Sequence, residues 1–371
     1  MPEFIPGLEL SRLFYLEAVK PILDAQFPDL RYDAALIGYG SEVLGFDTPL
    51  SRDHSWGPRL RLFLRGDDLS RYGDLIDQAL RRGLPYSFRG YPTSFVPIPG
   101  ESSRALEARS EGEVEHFVGL STVGELLRHE LAYEGDGSDG FAQRSPTPAD
   151  WLTFPQQKLR VLTAGAVFHS GLGELDAVRQ RLHYYPRDLW WYLMAAQWTR
   201  IGQEEPFMGR TGDVGDELGS RVIAARLIRD VMMLCFLVER VYAPYPKWFG
   251  TGFSRLKCAS TLTPLFQEAL SAEGWREREK PLSEAYQTVA EMHNALTITG
   301  PVPATVSLFH ERPYRVIHGE KFAEAIRERI EDAEVRRIAH KTWIGSIDQF
   351  SDSTDLREAT QLRSVLKQLY A

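Results

Sequence analysis

A polar connection rich in glycine and proline divides this 371-residue sequence into two parts with different hydrophobic patterns. It comprises residues 135–140 and 145–148. Before it, short apolar runs typical of strands alternate with helical patterns, whereas after it most apolar stretches repeat at helical spacing. The sequence therefore predicts an α+β fold, with an α/β domain over residues 1–140 and a mainly helical domain over residues 150–371.

The first part predicts a mixed sheet with flanking helices. Apolar residues from Leu8 to about Ala25 indicate an N-terminal helix, kinked or divided at Pro21. The acidic first turn and the final Arg81-Arg82-Gly83 of residues 67–83 are typical of a second helix. Strands are expected at residues 34–40, 59–64, 87–95 and 114–122. In the second part we expect helices at residues 189–202, 216–242, 281–296, 321–330 and 355–370.

Composition and charge exclude several classes of protein. There is no run of about 18 apolar residues and no signal-peptide pattern at the N-terminus, so we expect a cytoplasmic protein without a membrane partner. Cys235 and Cys258 lie outside any metal-binding motif, and buried free thiols are expected. The formal net charge of -8 makes nucleic acid an unlikely partner, because broad phosphate contacts need a basic surface.

The segment between the strands predicted at residues 34–40 and 59–64 suits phosphate binding. Gly40 adds no side chain and lets the backbone approach an anion, while the hydroxyl of Ser41 can donate to an oxygen. Asp53 is expected to be the first residue of the second strand. The side chains of residues 53 and 55 would then point to the same face of the strand and could bind the same pair of magnesium ions. Position 55 holds Ser55, however, which is a weak and uncharged ligand for magnesium.

Longer strings resemble a bacterial family of unknown function in the nucleotidyltransferase superfamily, the group that includes kanamycin and lincosamide nucleotidyltransferases. The first string runs from Gly40 to Pro58. Others, at residues 203–210, 214–221 and 242–250, resemble the helical half of that family, and residues 345–349 resemble its C-terminal segment. The resemblance implies a nucleotidyltransferase-type sheet domain followed by a helical domain.

The resemblance also implies a Mg²⁺ ion and a nucleoside triphosphate. Asp53 and Ser55 correspond to the metal site, and Gly40, Ser41 and Ser51 to the phosphate contacts. The family pattern usually has aspartate at position 55, and often an acidic residue on the later strand where this chain has residues 118–120. Substitutes for the missing acids are Glu113, Glu115 or Asp47.

In the helical half, the resemblance implies a glutamate that takes the proton from the acceptor hydroxyl, which favours Glu204 or Glu205 as the catalytic base. Burial that raises the pKa toward neutrality would suit that role. The structural alternative is a carboxylate at a helix end, paired with Arg200 or Arg210.

Charged and aromatic residues of the helical half offer further candidates. Arg210, Arg221 and Lys247 are candidates for phosphate or substrate contacts, with Trp248 beside Lys247 as a stacking candidate. Opposite charges at i,i+4 predict the pairs Glu217 with Arg221 and Arg226 with Asp230. Core packing is the favoured role for the other aromatic residues, at positions 184, 185, 190–192 and 198.

Two functions follow. The first is a magnesium-dependent enzyme that transfers an AMP-like group from a nucleoside triphosphate to a hydroxyl of a small-molecule acceptor. The second is a catalytically impaired relative that binds a nucleotide or another anion as a sensor or assembly partner. Ser55 separates the two, and a homodimer is possible by analogy with the antibiotic-modifying relatives.

Overall fold

The computed structural model describes residues 2–101, 103–133 and 145–371, together with the backbone but not the side chain of Asp53. The chain divides into two units, each with its own core. The first comprises Met1–Ser145 and Lys158–His183, and the second comprises Pro146–Gln157 and Tyr184–Ala371. Most of the connection at residues 135–148 lies outside the described residues.

The described strands are short and, apart from one hairpin, lie in the first unit. In chain order they are β1 Asp33–Leu36, β2 Arg59–Phe63, β3 Ser87–Phe88, β4 Tyr91–Pro92, β5 Ser94–Pro97, β6 Arg104–Glu107, β7 Phe117–Ser121, β8 Ala166–Ser170, β9 Ser307–Phe309 and β10 Arg312–Val316.

One mixed sheet organises the first unit, in the strand order β7-β2-β1-β8. Strand β1 is antiparallel to β2 and β8, whereas β2 and β7 run parallel with Arg59 opposite Phe117. The strands predicted at residues 34–40 and 59–64 therefore form the centre of this sheet. Strand β8 follows the glycine- and proline-rich connection in the sequence and still pairs with β1.

The described helices are α1 Gly7–Phe14, α2 Lys20–Gln26, α3 Gly66–Gly83, α4 Val123–Leu131, α5 Pro148–Thr153, α6 Gln156–Thr163, α7 Glu174–Arg181, α8 Arg187–Asp213, α9 Glu217–Val238, α10 Pro246–Phe253, α11 Ala259–Ser271, α12 Trp275–Ala295, α13 Gly319–Arg327, α14 Ala333–Lys341, α15 Ile347–Phe350, α16 Thr354–Glu358 and α17 Arg363–Leu366. The α+β class, with a mixed sheet followed by a mainly helical part, is confirmed.

The N-terminal helix is confirmed as a helical run over residues 7–26. A π-helical segment, Tyr15–Val19, joins α1 to α2, and Pro21 lies in the first turn of α2, where a missing N–H is tolerated. The apolar side of this run belongs to the same core as Leu60, Leu62 and Ile76. Helix α3 is also confirmed, with Asp67 and Asp68 in its first turn and Arg81 and Arg82 in its last.

The second unit is built around the long helices α8 and α9. The aromatic residues of the Tyr184–Trp198 segment are buried, which confirms that they pack in the core. The single helix predicted over residues 355–370 is wrong, because α16, α17 and two 3₁₀ turns share that stretch.

Candidate functional site

The Gly40-Ser41 turn lies four residues beyond the end of β1. Gly40 has a φ of +128°, a conformation that residues with a Cβ rarely adopt. A Cβ at this position would lie 2.4 Å from Nη2 of Arg59 and 2.7 Å from Oε2 of Glu42. Glycine is therefore required both by the backbone conformation and by the close approach of two charged side chains.

Arg59 and Glu42 form a buried ion pair next to this turn. Nε and Nη2 of Arg59 donate to Oε1 of Glu42 at 2.8 and 2.5 Å, and Nη2 also donates to the carbonyl oxygen of Tyr39 at 2.6 Å. The exposed fractions are only 5% for Arg59 and 2% for Glu42. The two charges compensate each other, which makes their burial tolerable. The hydrogen bonds of Arg59 hold the turn against the start of β2.

Ser41 is the residue of this turn whose donors remain available. The turn closes on itself, with the N–H of Gly45 donating to the carbonyl of Glu42 at 3.1 Å and the N–H of Phe46 donating to that of Ser41 at 2.8 Å. Within the described residues, neither the hydroxyl of Ser41 nor the amides of residues 41–44 donate a hydrogen bond. Ser41 is half-buried, so its hydroxyl and amide form a small set of accessible donors suited to an anion.

The strand expected to begin at Asp53 begins instead at Arg59. Residues Pro49–Asp53 form a 3₁₀ helix, because Thr48 and Ser51 make a capping box and proline occupies the first helical position. Ser51, a predicted phosphate contact, accepts the Thr48 N–H through its hydroxyl oxygen at 3.0 Å. The alternation that placed residues 53 and 55 on one strand face is therefore wrong.

Ser55 is bound to the backbone of β6. Its N–H donates to the carbonyl of Arg104 at 2.6 Å, and its hydroxyl oxygen accepts the N–H of Arg104 at 3.1 Å. Ser55 is 9% exposed and has a φ of +48°. These contacts hold the loop before β2 in place, and they do not fit a magnesium ligand.

The carboxylates proposed as companions of Asp53 have other partners. Asp47 accepts the N–H of Gly7 at 2.7 Å and the indole N–H of Trp56 at 3.1 Å, which ties the start of α1 to this loop. Glu113 pairs with Arg82 at 3.1 Å. Glu115 pairs with Arg81 at 2.6 Å, and this hydrogen bond lowers the pKa of Glu115.

These carboxylates do not fit a two-metal site. In the described part of the chain, no group of three or more histidine, cysteine, aspartate and glutamate side chains is placed to hold a metal ion. The side chain of Asp53 lies outside the described residues, so its role as a metal ligand stays a prediction.

Glu205 lies on α8 of the second unit and is buried against the residues that lead into α13. Its carboxylate accepts the N–H groups of Ile317 and Gly319 at 2.5 and 3.1 Å. Burial raises the pKa of Glu205 to about 8, and the backbone donors oppose this rise. The raised pKa suits a base, yet both oxygens already serve to fix the β10-α13 junction.

Glu204 and its neighbours form pairs between helices. Glu204 lies 2.8 Å from Arg226, and Asp230 accepts from Arg200 at 3.2 Å. Glu217 pairs with the buried Arg278 of α12 at 3.2 Å. The predicted i,i+4 pairs of Glu217 with Arg221 and of Arg226 with Asp230 are therefore wrong, because neighbouring helices supply these partners.

The cations predicted to contact phosphate lie on three different helices of the second unit. Arg210 is exposed on α8, and Arg221 donates to the carbonyl of Glu273 at 3.2 Å. Nζ of Lys247 lies 5.3 Å from the ring centroid of Trp248, a cation–π contact. Their roles in binding stay predictions.

The predicted site residues divide between the two units. Gly40 and Ser41 adjoin the Glu42–Arg59 pair in the first unit, whereas Glu204, Glu205, Arg210 and Lys247 belong to the second. Sequence reasoning missed the Glu42–Arg59 pair. The sequence indicates this pair only by an acidic residue in the turn and an arginine at the first residue of the next strand. These two residues follow no helical or strand periodicity, so a search for such patterns does not find them.

One family model matches part of the chain. Residues 151–249 match a family described as Domain of unknown function (DUF4037), a range that contains two of the strings on which the resemblance to a family of unknown function rests. No curated protein matches the chain. Among the helices of the described residues, none has the length and hydrophobicity needed to cross a membrane.

One solved structure similar to this chain is the crystal structure of a nucleotidyltransferase-like protein from Exiguobacterium sibiricum 255-15. The similarity covers 98% of this chain and 89% of that chain at 12% sequence identity, with a TM-score of 0.32. The similarity to kanamycin and lincosamide nucleotidyltransferases stays a prediction.

Proposed function

We propose that this protein is a nucleotidyltransferase-like protein that binds a nucleoside triphosphate through its phosphates at the Gly40-Ser41 turn, without a two-metal centre for transfer. The observation that carries the proposal is the available hydroxyl and amide of Ser41, in a turn where Gly40 lets the backbone come close to a ligand. Backbone amides and a hydroxyl in such a turn are typical donors to phosphate oxygens.

The Glu42–Arg59 pair supports this function by fixing the donors before a ligand arrives. Arg59 lies against Gly40, but Glu42 compensates its charge, so the turn selects an anion chiefly by oriented hydrogen bonds. A donor that is already oriented loses little conformational freedom on binding. We therefore expect triphosphate binding that persists at moderate salt concentration.

Transfer of an AMP-like group to the hydroxyl of a small molecule is the second candidate. Glu205 favours it, because a carboxyl group whose pKa is raised to about 8 holds and releases protons near neutral pH. The transfer also needs Mg²⁺ at Asp53, and the carboxylates predicted to accompany Asp53, which are Asp47, Glu113 and Glu115, are bound to other partners. Binding without transfer is for this reason the function we favour.

Isothermal titration with a non-hydrolysable ATP analogue, with and without Mg²⁺, tests the proposal. Ser41→Ala should weaken binding by roughly tenfold or more, because a hydrogen bond to a charged group contributes about 1.5–3 kcal/mol. Ser110→Ala is the matched control, since Ser110 is an exposed serine elsewhere in the first unit. Equal binding by both variants, or none by the wild type, would refute the proposal.

Labelled ATP with Mg²⁺ and a panel of hydroxyl acceptors separates the two candidates. We expect no labelled product. Labelled product that disappears in Asp53→Asn would establish transfer as the function.

A further inference from the structure

Tyr39, the residue before Gly40, carries a large aromatic ring that the core of the first unit does not cover. Residues 33–38 are buried, whereas 47% of Tyr39 is exposed. A single exposed tyrosine is common on protein surfaces. Tyr39 differs from such a residue because it lies beside the donors of Ser41 and because its ring is held in place.

Arg59 holds Tyr39 from one side. Cζ of Arg59 lies over the ring of Tyr39, 4.7 Å from the ring centroid, which is a cation–π contact. Nη2 of the same guanidinium donates to the carbonyl oxygen of Tyr39 at 2.6 Å. Arg59 therefore fixes both the backbone and the ring of Tyr39, and its own position is fixed by the buried pair with Glu42. A ring that is already oriented loses little conformational freedom when a ligand binds.

The support behind the ring extends into the sheet. Cζ of Arg59 also lies 5.8 Å from the ring centroid of Phe117, the residue opposite Arg59 in the pairing of β2 with β7. The ring of Phe117 in turn contacts that of Phe95, with 4.9 Å between the centroids. Tyr39 is the exposed member of this series of contacts, and the strands behind it oppose movement of its ring.

The ring of Tyr39 keeps an accessible surface on the side away from Arg59. Within the described residues, no second cation and no aromatic ring lies against it, and its hydroxyl makes no hydrogen bond. A Cβ at Gly38 would meet nothing within 4 Å, so the chain just before the ring also borders open space. A flat group of a ligand therefore has access to the ring.

The ring and the phosphate donors are close enough for one ligand to contact both. The Cα atoms of Tyr39 and Ser41 are at most about 7 Å apart, because the two residues are two positions apart in the chain. Both adjoin the guanidinium of Arg59, since a Cβ on the intervening Gly40 would lie 2.4 Å from Nη2. In a nucleotide a single ribose joins the base to the phosphates, so the base of a ligand bound at Ser41 can reach the ring.

We propose that Tyr39 stacks against the base of the bound nucleotide, and that the ligands of this turn are purine nucleoside triphosphates. This inference rests on the proposed function, because it needs the phosphates at the Gly40-Ser41 turn. A stacking contact depends on the flat face of the base and not on the donors and acceptors along its edge. Adenine and guanine nucleotides should therefore bind alike, whereas the smaller pyrimidines bury less area and bind more weakly.

Isothermal titration of the full chain with a non-hydrolysable ATP analogue and with inorganic triphosphate tests the proposal. The wild type should bind the analogue roughly tenfold more tightly, the ratio expected for one stacked base. Tyr39→Leu should remove this difference and leave the affinity for inorganic triphosphate unchanged, whereas Tyr39→Phe should keep it. Tyr86→Leu is the matched control, because Tyr86 is a 37% exposed tyrosine elsewhere in the first unit.

A fluorescent purine analogue of ATP gives a second measurement, because its emission falls when the base stacks on a ring. We expect quenching when the analogue binds to the wild type and to Tyr39→Phe, and none with Tyr39→Leu. Unlabelled GTP should displace this analogue as well as ATP does, and CTP should be several-fold weaker.

Three results would overturn the stacking proposal and leave the proposed function intact. The first is equal affinity of the wild type for the ATP analogue and for inorganic triphosphate, and the second is equal displacement by CTP and ATP. The third is weaker binding of inorganic triphosphate by Tyr39→Leu, because Tyr39 would then hold the turn and not the base. A wild type that binds neither ligand would instead refute the proposed function, and this inference with it.

Discussion

Arg59 and Glu42 join the first residue of β2 to the turn that precedes it, with Nε of Arg59 2.8 Å from Oε1 of Glu42. Both side chains are almost completely buried. The pair stabilises the Gly40-Ser41 turn, for which the sequence predicts phosphate contacts, and two of the following predictions depend on it.

Removing one partner of this pair should destabilise the protein strongly. Arg59→Met leaves the carboxylate of Glu42 buried without its counter-charge, and we expect a loss of about 3–5 kcal/mol in the free energy of unfolding, measured by urea denaturation. The double variant Glu42→Leu with Arg59→Met removes both charges and should be more stable than Arg59→Met. Arg12→Met, which breaks the exposed pair of Arg12 with Glu9, should cause little change. If Arg59→Met changed the free energy of unfolding as little as Arg12→Met, the claim that Arg59 and Glu42 form a buried ion pair would be contradicted.

Gly40→Ala should be more destabilising than Gly38→Ala. Both glycines have positive φ, +128° and +97°, so an added Cβ is strained at either position, at a cost of about 1–2 kcal/mol. A Cβ on Gly40 would also clash with Arg59 and Glu42, whereas a Cβ on Gly38 meets nothing within 4 Å. Thermal denaturation of the two variants measures the difference. Equal melting temperatures would show that the close contact of Arg59 and Glu42 with Gly40 does not contribute to stability.

Ser55→Asp should not create a magnesium site. The hydroxyl of Ser55 accepts the N–H of Arg104 in a buried loop, so a carboxylate there must be desolvated, and we expect a loss of stability of about 1–3 kcal/mol. Calorimetric titration with Mg²⁺ should give the same result for wild type and variant. A new Mg²⁺ affinity in Ser55→Asp would restore the arrangement predicted from the sequence, with residue 55 facing the metal.

The stability of the second unit should fall as the pH rises through the titration of Glu205. Its pKa is raised from the model-peptide value of 4.5 to about 8, so the folded state binds the proton more tightly than the unfolded state. The stabilisation is complete below pH 4.5 and is lost as the pH rises toward about 8. Unfolding free energies between these values should therefore decline more steeply for wild type than for Glu205→Gln. Glu204→Gln is the control and should keep the wild-type slope.

Local patterns predicted much of the fold. Helix α3 carries its own start and stop signals, with Asp67 and Asp68 at one end and Arg82-Gly83 at the other, and the apolar runs before Gly38 and after Arg59 locate the central strands. These signals lie within a few residues of the element that they define, so one sequence suffices to find them.

The errors arise where distant residues or short caps decide the structure. Thr48 and Ser51 cap a 3₁₀ turn that displaces the strand expected at Asp53, a detail that alternation cannot reveal. The partner of Glu217 is Arg278, 61 positions away on another helix. The parts of the candidate site that were predicted are those that depend on local backbone chemistry, such as Gly40, whereas the ion pairs depend on packing between elements.

Strand β8 also determines when the first unit can form. Because β8 lies at residues 166–170 and pairs with β1, the sheet is complete only after residues 146–157 of the second unit and β8 itself have been synthesised. Until then one side of β1 has unpaired N–H and C=O groups, and a fragment ending at residue 140 would retain that open edge. Expression of the isolated first half should therefore give aggregated protein, and a fragment that is to fold alone needs residues up to 183.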